Sequence, residues 1–237
     1  MVVKVFVLGR PGSGKSTATR HLNHLMRHQD WRVKHFNDYD ILWEMFVADT
    51  EHKKFRPTPH NGFDAKDFTV FDDALKDLEK RARVDMEHVD MLTIEFARDA
   101  YHMALKQFSA DFLQDSYFLF LDADIETCLR RVHERVEHSE TNDDHPSFSD
   151  DIFRWYYARD NRRYMARRLK SEFGIRKPVR VIENTGPLPH FLLQIKQFAD
   201  ELSCDNRATA ATAGQGLLRS IDGRVCLLEN MAMESLT

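Results

Sequence analysis

The nine residues Gly9-Arg10-Pro11-Gly12-Ser13-Gly14-Lys15-Ser16-Thr17 constrain this chain more than any other segment. A glycine, four residues, a second glycine, then Lys and Ser form the spacing of a phosphate-cradling loop. The context agrees. Val2 to Leu8 is a β-branched, apolar run interrupted only by Lys4, which reads as a buried parallel strand, and Ser16 to His28 reads as a helix. Such a loop turns successive backbone N–H groups toward one point, and the helix N-terminus adds its positive field. Gly9, Pro11, Gly12, Ser13, Gly14, Lys15, Ser16 and Thr17 are therefore expected to hold the phosphates of a nucleoside triphosphate. Lys15 should reach the β- and γ-phosphates and Ser16 should hold Mg2+.

The 237 residues suffice for one α/β domain with a sizeable core and an appendage. No run of 18 apolar residues occurs, so no membrane span is expected. Cys128, Cys204 and Cys226 have neither metal-ligand spacing nor an even count, which suits a reducing cytoplasm. The formal net charge of −4 argues against a broad duplex-binding surface and leaves room for a local basic cleft.

Strand and helix patterns alternate along the chain. Trp31 to Asn37 is expected as a second strand, followed by Asp38-Tyr39-Asp40 and a helix over Ile41 to Ala48. Thr50 to Val70, with Pro57, Pro59 and Gly62, is expected as loop or broken helix. Helical spacing resumes over Phe71 to Glu87. Val89 to Phe96 is the third strand candidate, Arg98 to Ala110 a helix, and Ser116 to Leu121 the fourth strand. A helix to about Val136 and a polar loop over Glu137 to Asp151 follow. Ile152 to Phe173 reads as one long arginine-rich helix, Pro178 to Glu183 as the fifth strand and Leu188 to Leu202 as the last clear helix. This alternation implies a mostly parallel sheet covered on both faces. Beyond Ser203, Asp205 to Gly216 shows no apolar stripe. Ile221 to Glu229 could be a hairpin or short strand.

From Met1 to about Leu202 the chain resembles the nucleoside and nucleotide kinase branch of the P-loop proteins, and also the small polynucleotide kinases. The resemblance implies a three-layer α/β/α P-loop NTPase fold, with a five-stranded parallel sheet in order 2-3-1-4-5 and an arginine-bearing helical lid. It divides the chain into a kinase domain over residues 1–203 and a tail over 204–237, partly disordered or packed back. Within the domain it implies an acceptor-binding insert over about 50–88 and a lid over about 136–172. ATP and Mg2+ are the implied cofactors. Guanine-binding relatives carry Asn/Thr-Lys-x-Asp after a strand, and Asn184-Thr185-Gly186 lacks it, which favours adenine.

Carboxylates at the ends of strands face the crevice where open α/β sheets bind ligands. Asp38 follows strand two where such kinases keep the carboxylate that takes the acceptor hydroxyl proton. Glu95-Phe96-Ala97-Arg98 is similar to the acidic-x-x-Arg motif ending strand three in deoxynucleoside and thymidylate kinases. The resemblance implies catalytic roles for Asp38, Glu95 and Arg98, with Asp38 and Glu95 near the metal. Helix capping by Asp38 or Asp40 and a Glu95–Arg98 ion pair are the structural alternatives. Cys128 to Arg135 is similar to the Leu-x-x-Arg-x-x-x-Arg run before the lid. This implies that Arg131 approaches the phosphates and Arg135 borders the adenine. Arg159, Arg163 and Arg167 would share a helix face, with Arg159 and Arg163 as catalytic candidates and a solvated face as the alternative.

The acceptor itself matches no known pattern. Asp40, Arg56, Asn61 and Phe63 are candidate acceptor contacts, and the aromatics could equally pack a loop onto the core. The expected activity is transfer of the γ-phosphoryl of ATP to a nucleoside, nucleotide or related small molecule. A kinase acting on nucleic-acid 5′-hydroxyl ends and an ATP-hydrolysing switch acting on a protein partner are the alternatives. A monomer and a homodimer are both compatible with the sequence.

Overall fold

Val3–Gly9 forms β1, buried at every position and flanked on both sides by parallel neighbours. The computed structural model describes residues 2–58, 62–137 and 150–221. Beside β1 lie β5 (Met91–Phe96) and β6 (Ser116–Asp122), with β2 (Val33–Asn37) outside β5 and β7 (Val179–Glu183) outside β6. The order β2-β5-β1-β6-β7 is the expected 2-3-1-4-5 once the five sheet strands are numbered among themselves. The inner strands read as near-continuous apolar runs because helices cover both faces, whereas β2 and β7 are partly exposed edges. Phe6 lies near the centre of the core, stacked on Phe118 at 4.9 Å between ring centroids.

The helix α1 (Lys15–Arg27) buries Ala18, Leu22 and Met26 along one stripe at helical spacing. α2 (Asp38–Ala48) starts earlier than its sequence suggests, because Asn37 Oδ1 accepts from Tyr39 N at 3.0 Å and caps it. Capping therefore falls to Asn37, leaving both aspartates inside the first turn. The insert holds an antiparallel pair, β3 (Phe55–Pro57) and β4 (Phe63–Ala65), which corrects the expectation of loop or broken helix. Asp49 fixes its start by accepting from the backbone N–H groups of Lys53, Lys54 and Phe55 at 3.0, 2.7 and 2.9 Å. Phe55 and Phe63 are buried and anchor the pair.

α3 (Thr69–Asp85) packs Val70, Ala74, Leu75, Leu78 and Ala82 inward. The single helix expected over Arg98 to Ala110 is instead α4 (Tyr101–Ala104), a 3-10 turn at Leu105–Gln107 and, beginning at Ala110, α5 (Ala110–Gln114). Extended backbone at Phe108 separates them, and the Ser109 N–H turns to Glu79 Oε2 at 2.7 Å. α6 (Ile125–Glu137) follows β6.

The long arginine-rich helix is also corrected. It is three short helices, α7 (Asp150–Tyr156), α8 (Arg162–Arg167) and α9 (Leu169–Phe173). The break is physical: the Tyr157 and Arg159 carbonyls accept from Arg10 instead of continuing the helical ladder. Asp160 Oδ1 then restarts the chain by accepting from Arg162 N at 2.8 Å. Arg159 thus lies between helices, so Arg159, Arg163 and Arg167 do not line one helical face.

Following β7, α10 (Leu188–Ile221) runs well past Leu202, through the alanine-rich stretch that carried no apolar stripe. Alanine has the highest helix propensity, which accounts for helix without amphipathic patterning. Most of the loop expected over Glu137 to Asp151, and all of Ile221 to Glu229 past its first residue, lie outside the described residues. The chain divides into two compact units, Met1–Ala199 and Asp200–Thr237. No described helix is long and apolar enough to cross a membrane.

Candidate phosphate-binding and transfer site

Between β1 and α1 the backbone bends through positive φ at Gly9, Gly12 and Gly14. Gly12 sits so close to α6 that a β-carbon there would lie 2.2 Å from the Cys128 carbonyl oxygen. At Gly14 it would lie 2.4 Å from Asn184 Nδ2. The loop is held from several sides. Tyr101 Oη accepts from Gly9 N at 2.8 Å and lies 3.0 Å from Gly9 O, Asn184 Nδ2 donates to Ser13 O at 2.8 Å, and Arg131 Nη1 approaches Gly12 O at 3.5 Å. Ser13 Oγ is buried with no partner, a polar group left over inside the cradle. Lys15 Nζ donates to Arg10 O at 3.1 Å. Burial pulls the Lys15 ammonium below its ordinary value, and Glu95 and Asp38 oppose that shift. Pro11 and Thr17 occupy the loop and the first turn of α1.

The two strand-end carboxylates occupy different settings. Glu95 pairs in register with Val7 on one side and Asn37 on the other, placing it beside the loop and beside the start of α2. Its Oε1 accepts from Ser16 Oγ at 3.0 Å and its Oε2 from Thr19 Oγ1 at 3.1 Å. Ser16 and Glu95 thus present a hydroxyl and a carboxylate together, a donor set suited to a hard, octahedral cation that also takes phosphate oxygens. Among the described residues no cluster of three or more His, Cys, Asp or Glu side chains forms, and a magnesium site of that kind needs none.

Asp38 binds Arg98 rather than Glu95 doing so: Arg98 Nη1 donates to Asp38 Oδ2 at 2.5 Å, with both side chains 8% exposed. Arg98 also donates to Ala97 O at 2.7 Å and Phe71 O at 3.0 Å, and lies 4.7 Å over the Phe71 ring. Burial holds the Asp38 carboxyl above its ordinary value, with Arg98 and Lys15 pulling the other way. Asp122, which ends β6, pairs instead with Arg162 at 3.2 Å and Arg10 at 3.9 Å.

Several residues at this site carry no sequence signal of their role. Arg10, a variable position within the loop motif, donates to Tyr157 O, Ala123 O and Arg159 O at 3.0, 2.9 and 2.8 Å. Thr19 could have been found, since it lies three residues past Ser16 on the buried stripe. Tyr101 could not. Of the other candidates, Arg135 is exposed on α6, Arg159 lies 3.4 Å from Asp99, and Arg163 is exposed on α8. Asp40 is exposed in the first turn of α2, Arg56 pairs with Asp64 at 2.7 Å, and Phe63 is buried among Tyr39, Phe46 and Phe55. Asn61 lies outside the described residues.

A family model described as "AAA domain" matches residues 5–153. This chain belongs to that family. The matched stretch of this AAA-domain protein holds the phosphate loop, Asp38, Glu95, Arg98, Arg131 and Arg135, and ends within α7, before Arg159 and Arg163. Among solved structures, the chain is similar to the APS kinase CysC of Mycobacterium tuberculosis in complex with AMPPNP and APS. The two are 17% identical over 85% of this chain and 95% of that one, with a TM-score of 0.50. Shikimate kinase from Acinetobacter baumannii in complex with shikimate matches at 14% identity over 84% and 93% of the two chains, with a TM-score of 0.46. No curated protein matches. The fold of this AAA-domain protein is that of the P-loop kinases.

Proposed function

We propose that this protein is a phosphotransferase that moves the γ-phosphoryl of ATP to a hydroxyl or phosphate of a nucleoside, nucleotide or related small molecule. The observation that carries the reading is the placing of two carboxylates beside Lys15: Glu95 on the Ser16 hydroxyl, and Asp38 at the adjoining strand end. The second acid, held apart from Ser16 by Arg98, supports a proton acceptor distinct from the metal-holding residues.

A bound magnesium ion would supply positive charge to stabilise the phosphates. Ser16 and Glu95 would hold it. Lys15 lies along the loop with its charge already desolvated, which strengthens its pull on phosphate oxygens. Asp38 Oδ2 is taken by Arg98, while Oδ1 makes no hydrogen bond among the described residues and is available to an acceptor hydroxyl. A carboxyl raised by burial is the better proton acceptor for such a hydroxyl. Arg98 orients Asp38. Arg131, already near Gly12 O, is placed to meet phosphate; Arg135 is assigned to the adenine border and Arg159 and Arg163 to closure over the site.

The test is transfer of label from γ-labelled ATP with magnesium to a panel of nucleosides, nucleoside monophosphates, small hydroxy acids and 5′-hydroxyl oligonucleotides, with ADP release followed in parallel. Labelled product that disappears in Lys15→Ala supports the reading. Lys15-dependent ADP release with no labelled product overturns it in favour of hydrolysis.

A further inference from the structure

Resting on the reading of Ser16 and Glu95 as cation holders, we propose that Thr19 is a positioning residue, backed by His35. It occupies one oxygen of Glu95, so that the other alone is presented to the cation beside Ser16. The consequence is selection of magnesium over calcium as the ion that accompanies ATP.

The sequence sets up the contact. Ser16 and Thr19 lie three residues apart on α1, so their side chains fall on one face of the helix. Ser16 Oγ donates to Glu95 Oε1 at 3.0 Å and Thr19 Oγ1 donates to Oε2 at 3.1 Å. The two hydroxyls therefore hold the carboxylate at both ends. Their surroundings differ. Ser16 is exposed beside the phosphate loop, whereas Thr19 is 2% exposed and Glu95 4%. Oε1 is thus held at the open end of the contact and Oε2 in the interior, where no bulk water can take the place of Thr19.

A second group of side chains stands behind Oε2. Thr93 and Glu95 alternate to the same face of β5, and the strand register sets His35 of β2 opposite Thr93. Thr93 is fully buried, and its Oγ1 accepts from Asn23 Nδ2 at 3.2 Å and lies 3.1 Å from His35 Nδ1. Asn23 Oδ1 has no partner, so the Thr93 hydroxyl proton is assigned to His35 Nδ1. In a neutral ring that leaves the N–H on Nε2, 3.9 Å from Glu95 Oε2. This is too long for a hydrogen bond, yet it turns a second donor toward the oxygen Thr19 already holds.

Magnesium is bound through few carboxylate oxygens and keeps much of its water, whereas calcium accepts more oxygens and often both of one carboxylate. To reach Oε2, calcium would have to break the Thr19 bond and leave a buried hydroxyl unpaired. Thr19 leaves magnesium its ligand and denies calcium a second one. Neither Thr19 nor His35 belongs to the loop motif or to the acidic-x-x-Arg motif.

The test is calorimetric binding of a non-hydrolysable ATP analogue to the full chain in excess magnesium, in excess calcium and in EDTA. The parent should bind more tightly with magnesium than with calcium. Thr19→Val keeps the shape and removes the hydroxyl; it should lower the magnesium-to-calcium affinity ratio about tenfold and leave affinity in EDTA within about twofold. His35→Phe should lower the ratio about threefold, and Thr19→Ser should keep the parent ratio. A parent that does not discriminate, or a ratio unchanged in Thr19→Val or in His35→Phe, overturns the proposal. So does an equal loss in all three media, which would make Thr19 a packing residue. Full magnesium dependence in Glu95→Gln overturns it at its premise. The label-transfer assay is read separately: Lys15-dependent ADP release with no labelled product overturns the phosphotransferase reading while this ratio stands, since hydrolysis would use the same cation.

Discussion

Asp38→Asn separates chemistry from architecture at the centre of the site. The substitution keeps the shape and one acceptor oxygen for Arg98 Nη1, now 2.5 Å from Asp38 Oδ2, but leaves a guanidinium buried without its counter-charge. Losing one member of a buried ion pair costs about 3–5 kcal/mol, and the retained amide oxygen and the Ala97 and Phe71 carbonyls should hold the loss to about 3 kcal/mol or less. A general base contributes about 10²–10⁴-fold, equivalent to about 3–5 kcal/mol of barrier. The two effects are of similar size, so a drop in activity alone decides nothing. Single-turnover transfer, nucleotide affinity and thermal unfolding must be measured on the same preparation. We expect the transfer rate to fall by about 10²-fold or more while the folded protein binds ATP nearly as before. Arg98→Gln is the companion: it should share the stability loss and retain more transfer, because Asp38 Oδ1 remains. A transfer rate within about tenfold of the parent in folded Asp38→Asn refutes the base assignment. Loss of nucleotide affinity in proportion to rate makes the pair structural instead.

Arg10→Gln should free the Tyr157–Arg159 segment by removing three donors to its carbonyls and to Ala123 O. Turnover should fall by about tenfold or more while amide exchange at residues 157–161 accelerates; slow exchange in the variant would show that the segment is held by other contacts. Asp90, forked by Arg32 through two side-chain bonds and one backbone N–H, should titrate near its depressed value of about 2 by carboxyl NMR. Its folded value lies below the unfolded 3.8, so its small contribution to stability is present above that pH and is lost as pH falls toward about 2. The pair is exposed, and Asp90→Asn should therefore lower stability by well under about 1 kcal/mol; a midpoint near 3.8 would mean the ion pair is not populated in solution.

The sheet was legible because each inner strand is a near-continuous apolar run, and the phosphate loop because its glycines are forced by contacts a β-carbon would violate. Short elements were harder to read. A three-residue strand such as Phe55–Pro57 offers too few positions for alternation to register, and Pro57 and Gly62 read as breakers although Pro57 ends β3 and Gly62 immediately precedes β4. The arginine-rich segment misled for a different reason. Its four-residue spacing is helical, and what ends the helix is a side chain about 150 residues away, Arg10, drawing off two carbonyls. Periodicity cannot report a competitor for backbone hydrogen bonds. The same limit applies to Asp38 and Arg98, 60 residues apart, whose pairing replaced the local Glu95–Arg98 contact that sequence proximity suggested. Phe63 shows the opposite ambiguity: an aromatic near a site has the same sequence signature whether it stacks on a ligand or, as here, fills the core of the insert.

Those distant contacts also explain why two acids one strand apart need not compete for one role. Glu95 is fixed by the Ser16 and Thr19 hydroxyls of α1, both oxygens accepting, so its geometry is tied to the phosphate loop. Asp38 is fixed by Arg98, which is itself fixed to the first turn of α3 through Phe71 O and to the strand end through Ala97 O. One carboxylate is therefore tied to the phosphate loop helix and the other to the end of β5 and the start of α3. Environments that set two titratable groups apart in this way commonly divide acid, base and metal duties between them.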